Sequence, residues 1–269
     1  MQIISDYKIA LNIAYRARFL TIGFWLLLVL VTVVLIAAQF SGRQPATVAL
    51  DIGISATRLL LPLLIVLLVQ ELFTREFDRR YILASMTYPR PRHHFFLGRL
   101  LAIFTCTMAG LVVMAVAIAI LVTIIGQNYH QATPVSLGTH YIITLIFIAI
   151  DLSTIIAVSA FLSLIATTPS FILIGSFGFL IVARSYSTII ALLEQKHALV
   201  AKQQLYHDSL GFLGYILPDL GALDVRMTAL YNSINFIPDN WPFIAISSLA
   251  YGLFFIGLAL AILHKKQFN

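Results

Sequence analysis

Glu71-Leu-Phe-Thr-Arg-Glu-Phe-Asp-Arg-Arg-Tyr81, then Tyr88-Pro-Arg-Pro-Arg-His-His94 and Gly98-Arg99, form a charge-dense break between long apolar runs. Arg75, Arg79, Arg80, Arg90, Arg92 and Arg99 fall here, roughly a third of the chain's 17 Lys and Arg. Charge at this density does not lie in hydrocarbon, so the stretch stands in water at a membrane surface. The runs on either side then read as membrane spans, and the fold class as all-α membrane protein.

Composition agrees. Of 269 residues, 60% are hydrophobic and 10% charged, which excludes an ordinary soluble domain. The net charge of +6 does not imply nucleic-acid binding, because the basic residues fall where membrane topology places them. A single cysteine, Cys106, rules out an intrachain disulfide and a thiol-rich metal site. The apolar stretch 19–38 is too long for the core of a signal peptide and follows about 18 polar or amphipathic residues, so it reads as a retained span.

Six spans are expected, at about 19–38, 54–70, 100–125, 141–166, 170–193 and 241–263. Residues 1–18 read as an interfacial helix, with Ile3, Tyr7, Ala10, Leu11 and Ala14 on one face and Ser5, Lys8, Asn12 and Arg16 on another. Residues 39–51 read as a loop, and Arg58 as a side chain that snorkels from the edge of the second span. The mixed segment 194–240 is expected to form short helices outside the membrane, punctuated by Pro218, Gly221 and Pro238. One membrane domain, 1–269, is the simplest division. Lys8, Arg16, Arg18, the arginines of 71–99, Lys265 and Lys266 share one side, against Arg43, Arg58, Lys196, Lys202 and Arg226 on the other. The positive-inside rule puts both termini and segment 71–98 in the cytoplasm.

Within that segment Glu71, Arg75, Asp78 and Arg79 are three or four apart, the spacing of helix-surface ion pairs. Leu72, Phe73, Phe77 and Tyr81 form an apolar stripe, and Tyr88-Pro89 ends the helix. Aromatics among charges, with Arg80 beside them, suit contact with a soluble partner better than plain solvation.

The segment resembles the cytoplasmic coupling loop of type-2 ABC exporter permeases, through Leu83, Pro89, Arg92 and Phe96-Leu-Gly-Arg99, with Arg99 where that family usually has lysine. Ile216-Leu-Pro-Asp-Leu-Gly-Ala-Leu-Asp-Val-Arg226 and the tail Lys265-Lys-Gln-Phe268 are similar to permeases of copper-enzyme (nitrous oxide reductase) maturation systems. The resemblance implies a cytoplasmic ATPase docked on Glu71, Phe73, Arg75, Phe77, Asp78, Arg79, Arg80, Tyr81, Pro89 and Arg92. It also implies pairing with a second permease chain as a homodimer or heterodimer in the bacterial inner membrane. The chain has no G-x-x-x-x-G-K-[ST], so no cofactor of its own is expected and ATP would bind the partner.

Asp151 and Arg184 are charges inside the fourth and fifth spans. Asp151 lies 17 residues before Thr168, in the turn between them, and Arg184 lies 16 after it. An antiparallel pair brings the two to one depth, where ion pairing offsets the cost of burial. An isolated pair would tolerate reciprocal exchange of its charges. Adjacent His93 and His94, and the ten-residue spacing of His197 and His207, make poor metal sites. Two functions follow: an ATPase-driven permease that moves a substrate, or a mechanical transmitter that acts through segment 194–240 on a protein outside, with no substrate passage. An intramembrane enzyme would need clustered catalytic groups at one depth, and Asp151 reads as the only intramembrane carboxylate.

Overall fold

A computed structural model describes residues 2–74, 92–127, 135–166, 168–197 and 218–265; of residues 2, 74, 92 and 187–197 only the backbone is described. Eight α-helices occur among these residues: α1 (Gln2–Arg16), α2 (Phe19–Phe40), α3 (Pro45–Val69), α4 (Arg92–Gln127), α5 (Thr139–Ile165), α6 (Pro169–His197), α7 (Arg226–Tyr231) and α8 (Trp241–Lys265). A π-helical turn, Gln70–Thr74, prolongs α3, and a 3₁₀ turn, Ile234–Phe236, follows α7. No strand occurs among the described residues. Six of the helices (α2, α3, α4, α5, α6 and α8) are long and apolar enough to cross a membrane, and the protein is a multi-pass membrane protein.

Two spans are central. α3 and α5 are buried on most faces, whereas α2 buries only the seam Leu26, Leu30, Val34 and Ala38 and turns Phe24, Trp25, Leu28, Val29 and Ile36 outward. That i, i+4 seam is what an otherwise uniformly apolar helix uses when its remaining surface meets lipid. α5 and α8 approach closely where Gly252 faces Ala157 and the Thr154 backbone, 3.7 Å from where a Cβ would stand. Thr154 Oγ1 donates to the Ser248 carbonyl at 3.1 Å, and Phe161 packs edge-on against Phe255. Close helix approach of this kind replaces the hydrophobic drive that lipid cannot supply.

The second span begins earlier than the sequence suggests. Helix α3 starts at Pro45, not near Ile54, so residues 45–51 are helix rather than loop. Proline suits the first helical position, where its missing N–H is no loss. The polar residues that argued for a loop, Asp51 and Arg58, find partners inside the protein. The third span likewise begins at Arg92 rather than Leu100, and the fifth runs to His197.

At the end of the bundle that carries segment 71–98, α1 lies across the start of α4. Ala10 and Ala14 are buried, and Tyr7 Oη donates to Thr105 Oγ1 at 3.3 Å. Gly98 makes the crossing possible: a Cβ there would stand 2.9 Å from the Asp6 Cβ and 3.0 Å from the Tyr7 backbone nitrogen. Backbone cannot yield as a flexible side chain can. Gly98→Ala is therefore expected to lower stability by about 1–3 kcal/mol, the usual cost of overpacking. Gly257→Ala, which meets nothing within 4 Å, is expected to be neutral in the same thermal melt of the detergent-purified protein.

Candidate functional site

Arg58, Asp151 and Arg184 meet in the centre of the bundle. Arg58 is 13 residues into α3 and 15 before Phe73, where that span closes; Asp151 is 12 residues into α5 and 14 before its end. At about 1.5 Å per residue both sit near mid-span. Arg184 Nη2 donates to Asp151 Oδ2 at 2.6 Å, and Arg58 Nη2 approaches the same oxygen at 3.4 Å. Asp151 is wholly buried, and only 8% of the Arg58 side chain is exposed. One carboxylate oxygen thus serves two guanidiniums.

The backbone shares in the arrangement. Pro62 lies four residues after Arg58 and has no N–H, so the Arg58 carbonyl loses its ordinary helical donor. Arg184 Nη1 supplies one instead, at 2.9 Å. A single side chain of α6 thereby satisfies the carboxylate of α5 and the orphan carbonyl of α3, as a membrane interior requires.

Residues 218–226, between the fifth and sixth spans, close the cluster. Arg58 Nη1 pairs with Asp224 Oδ2 at 2.6 Å, and Arg58 Nη2 donates to the Leu220 carbonyl at 3.3 Å. Arg226 pairs with Asp51 at 3.0 Å, approaches Asp224 at 3.6 Å and donates to Ser55 Oγ. Asp51, Ser55 and Arg58 follow one face of α3 at i, i+4 and i+7, so the contacts descend into the bundle as a ladder. Buried Leu220, Leu223 and Val225 pin the segment, and the Leu220 N–H donates to the Ala183 carbonyl. The six side chains carry three positive and three negative charges, so the ladder is neutral.

The structure thus brings Asp151 and Arg184 together, and it corrects the surroundings expected for them. Arg58 does not snorkel to an interface; its guanidinium turns inward because Asp151 and Asp224 are there to receive it. Asp151 is not the sole carboxylate in the spans, since Asp51 belongs to α3. Arg58, Asp224, Arg226 and Asp51 were missed as partners. One signal was readable in advance: a proline four residues after an arginine within an apolar run marks a carbonyl in need of a donor.

The second group of expected site residues lies mostly outside the described residues: Arg75, Phe77, Asp78, Arg79, Arg80, Tyr81 and Pro89, with the side chain of Arg92. Glu71 and Phe73 are described. Phe73 corrects the expectation of an exposed docking stripe, because it is wholly buried with Leu72 and packs on Phe96 at 5.4 Å between ring centroids. Arg99 is buried too, donates to the Leu72 carbonyl and lies over the Phe95 ring at 3.7 Å. Phe96-Leu-Gly-Arg99 is thus a clasp: Phe96 and Arg99 fasten the end of α3 to the start of α4, and Gly98 admits α1. The His93 and His94 rings lie 4.3 Å apart, tilted by 40°, and no group of three potential metal ligands occurs among the described residues.

The three-centre geometry makes a prediction that an isolated pair does not. Reciprocal exchange, Asp151→Arg with Arg184→Asp, would leave Arg58 facing a new arginine and is expected not to restore folding. Asp151→Asn alone should destabilise by about 3–5 kcal/mol, because it leaves the Arg184 guanidinium without a counter-ion at depth. Adding Arg184→Gln should recover part of that loss in a thermal melt, since Arg58 keeps Asp224. A double variant no better than the single would show that Arg184 is indifferent to Asp151.

No curated protein matches the chain. The family described as "ABC-2 family transporter protein" matches residues 14–193, which include α2 to α5 and the clasp, with Arg58, Asp151 and Arg184. With the match covering more than half of its length, and with six apolar helices arranged as described, the chain belongs to the ABC-2 family of transporter proteins, as a multi-pass membrane permease subunit.

Proposed function

We propose that the chain is the membrane half of an ATP-binding-cassette exporter, driven by a separate cytoplasmic ATPase that docks on segment 71–92. The clasp is the observation that carries this reading. Both ends of the 75–91 stretch are fastened to spans by buried side chains, Phe73 on Phe96 and Arg99 on the Leu72 carbonyl. A force applied to the stretch therefore passes into α3 and α4. With Phe73 committed to that clasp, docking would fall to Phe77, Tyr81 and the charged residues between them. Both termini and segment 71–98 face the cytoplasm of the cell membrane, by the excess of Lys and Arg on that side. A second permease chain, in the simplest case an identical one, completes the assembly. The likeness of Ile216–Arg226 to copper-enzyme maturation permeases supports a role of that kind for the exported substrate.

A second reading has an observation of its own. Asp224 and Arg226 are bonded to Arg58, Asp51 and Ser55 of α3, so a displaced α3 carries the 218–226 segment with it. That linkage suits a transmitter acting on a protein outside the membrane. ATP turnover of the reconstituted complex separates the two: a permease is stimulated by its substrate alone, a transmitter only when the outer protein is added.

The deciding experiment is co-purification in mild detergent with candidate ATPases of the same cells. The unaltered chain is expected to retain an ATPase through gel filtration, and Phe77→Glu/Arg79→Glu to lose it while eluting at the same position. Absence of any bound ATPase, in preparations where the permease itself remains intact, would overturn the reading.

A further inference from the structure

Arg58, Arg184 and Asp151 together carry one excess positive charge, and Asp224 alone balances it from the segment between the fifth and sixth spans. Asp224 differs from the other three. About a third of its side chain is exposed, whereas Asp151 is wholly buried and Arg58 nearly so. It is the member at the mouth of the cluster. The inner groups also have bonding capacity to spare: Arg58 Nε, Arg184 Nε and Asp151 Oδ1 are buried with no hydrogen-bond partner among the described residues. A guanidinium presents a planar fork of donors suited to two oxygens of one anion. Arg58 gives Nη1 to Asp224, while its Nη2 is divided between Asp151 at 3.4 Å and the Leu220 carbonyl at 3.3 Å, both long contacts.

We infer that Arg58 and Arg184 form a binding site for the anionic head group of an amphiphile, and that the Asp224 carboxylate occupies this site when no ligand is bound. An arriving phosphate or carboxylate would displace Asp224, the exposed partner, and pair with Arg58. Asp151 stays in place, holds Arg184 and keeps the site from accumulating two uncompensated positive charges. Buried Leu220, Leu223 and Val225 flank Asp224 in the chain and put apolar side chains beside the site, which suits a head group carrying a hydrocarbon tail better than a free ion. The mid-span depth of Arg58 agrees, since a charge that must be brought so far into the bundle gains from a tail that follows it. The inference names a substrate class for the permease proposed above and in that sense rests on it. The binding site itself requires no ATPase.

The test uses the full-length chain in dodecyl maltoside, without an ATPase, and dodecyl phosphate and inorganic phosphate as probes in titration calorimetry. Asp224→Asn removes the competing charge, and the variant is expected to bind dodecyl phosphate at least ten-fold more tightly than the unaltered chain. Arg58→Gln added to Asp224→Asn should abolish that gain. A gain for dodecyl phosphate alone assigns the site to a head group on a tail. An equal gain for inorganic phosphate supports an anion site but overturns the amphiphile. No gain with either probe, or a gain that survives loss of Arg58, overturns the site altogether. Should Asp224→Asn not fold, the unaltered chain is treated with phenylglyoxal, and protection of Arg58 and Arg184 by dodecyl phosphate is read by mass spectrometry; absence of protection overturns the site. Failure here would leave ATPase co-purification untouched, and failure of that experiment would leave the binding result standing, so the two ideas fail separately.

Discussion

One carboxylate governs the middle of this protein. Asp151 is wholly buried, and its Oδ2 receives Arg184 at 2.6 Å and Arg58 at 3.4 Å. Three spans that could otherwise slide past one another in lipid are thereby held at one register. Apolar side chains do this poorly, because against hydrocarbon a Leu gains little from meeting another Leu rather than a lipid tail. A charge has no such freedom: at depth it is satisfied by one geometry and costly in the rest. Pro62 deepens the dependence by leaving the Arg58 carbonyl for Arg184 to cover. The backbone of α3 and the carboxylate of α5 are thus held by the same residue of α6.

The two ends of α3 do different things with this anchorage. Toward segment 71–98, the helix passes into a π turn and then into the clasp with α4, where Phe73, Phe96 and Arg99 leave little slack. Toward its other end, Arg58, Ser55 and Asp51 meet Asp224 and Arg226. One continuous helical span of 29 residues therefore touches the segment where a soluble partner is expected and the segment between the last two spans. Both the permease and the transmitter readings draw on this continuity. They differ in whether the far end admits a ligand or moves a neighbour.

Much of the architecture was legible because membrane spans write themselves as apolar runs of about 20 residues. The matched depth of Asp151 and Arg184 was also legible, since the tight turn near Thr168 fixes how two antiparallel helices align. The start of α3 was not. Asp51 and Arg58 read as signs of water, and only partners distant in sequence (Asp151, Asp224 and Arg226) make them tolerable in a span. Phe73 failed for a related reason. An apolar stripe on a helix says that something covers it, and periodicity cannot distinguish a separate protein from Phe96 of the same chain.

The shared carboxylate also bears on how the chain enters the membrane. The fifth span is the least apolar of the six, with a mean hydropathy of 1.4 against 2.9 for the first, and it carries Arg184. A lone arginine near the centre of a span raises the cost of insertion by about 2.5–3.5 kcal/mol. Synthesis runs from the N-terminus, so Arg58 and Asp151 are made first and the fifth span emerges to find its counter-ion already present. Pairing with Asp151 of the fourth span offsets part of that cost. The order of residues along the chain thus supplies the carboxylate before the arginine that needs it.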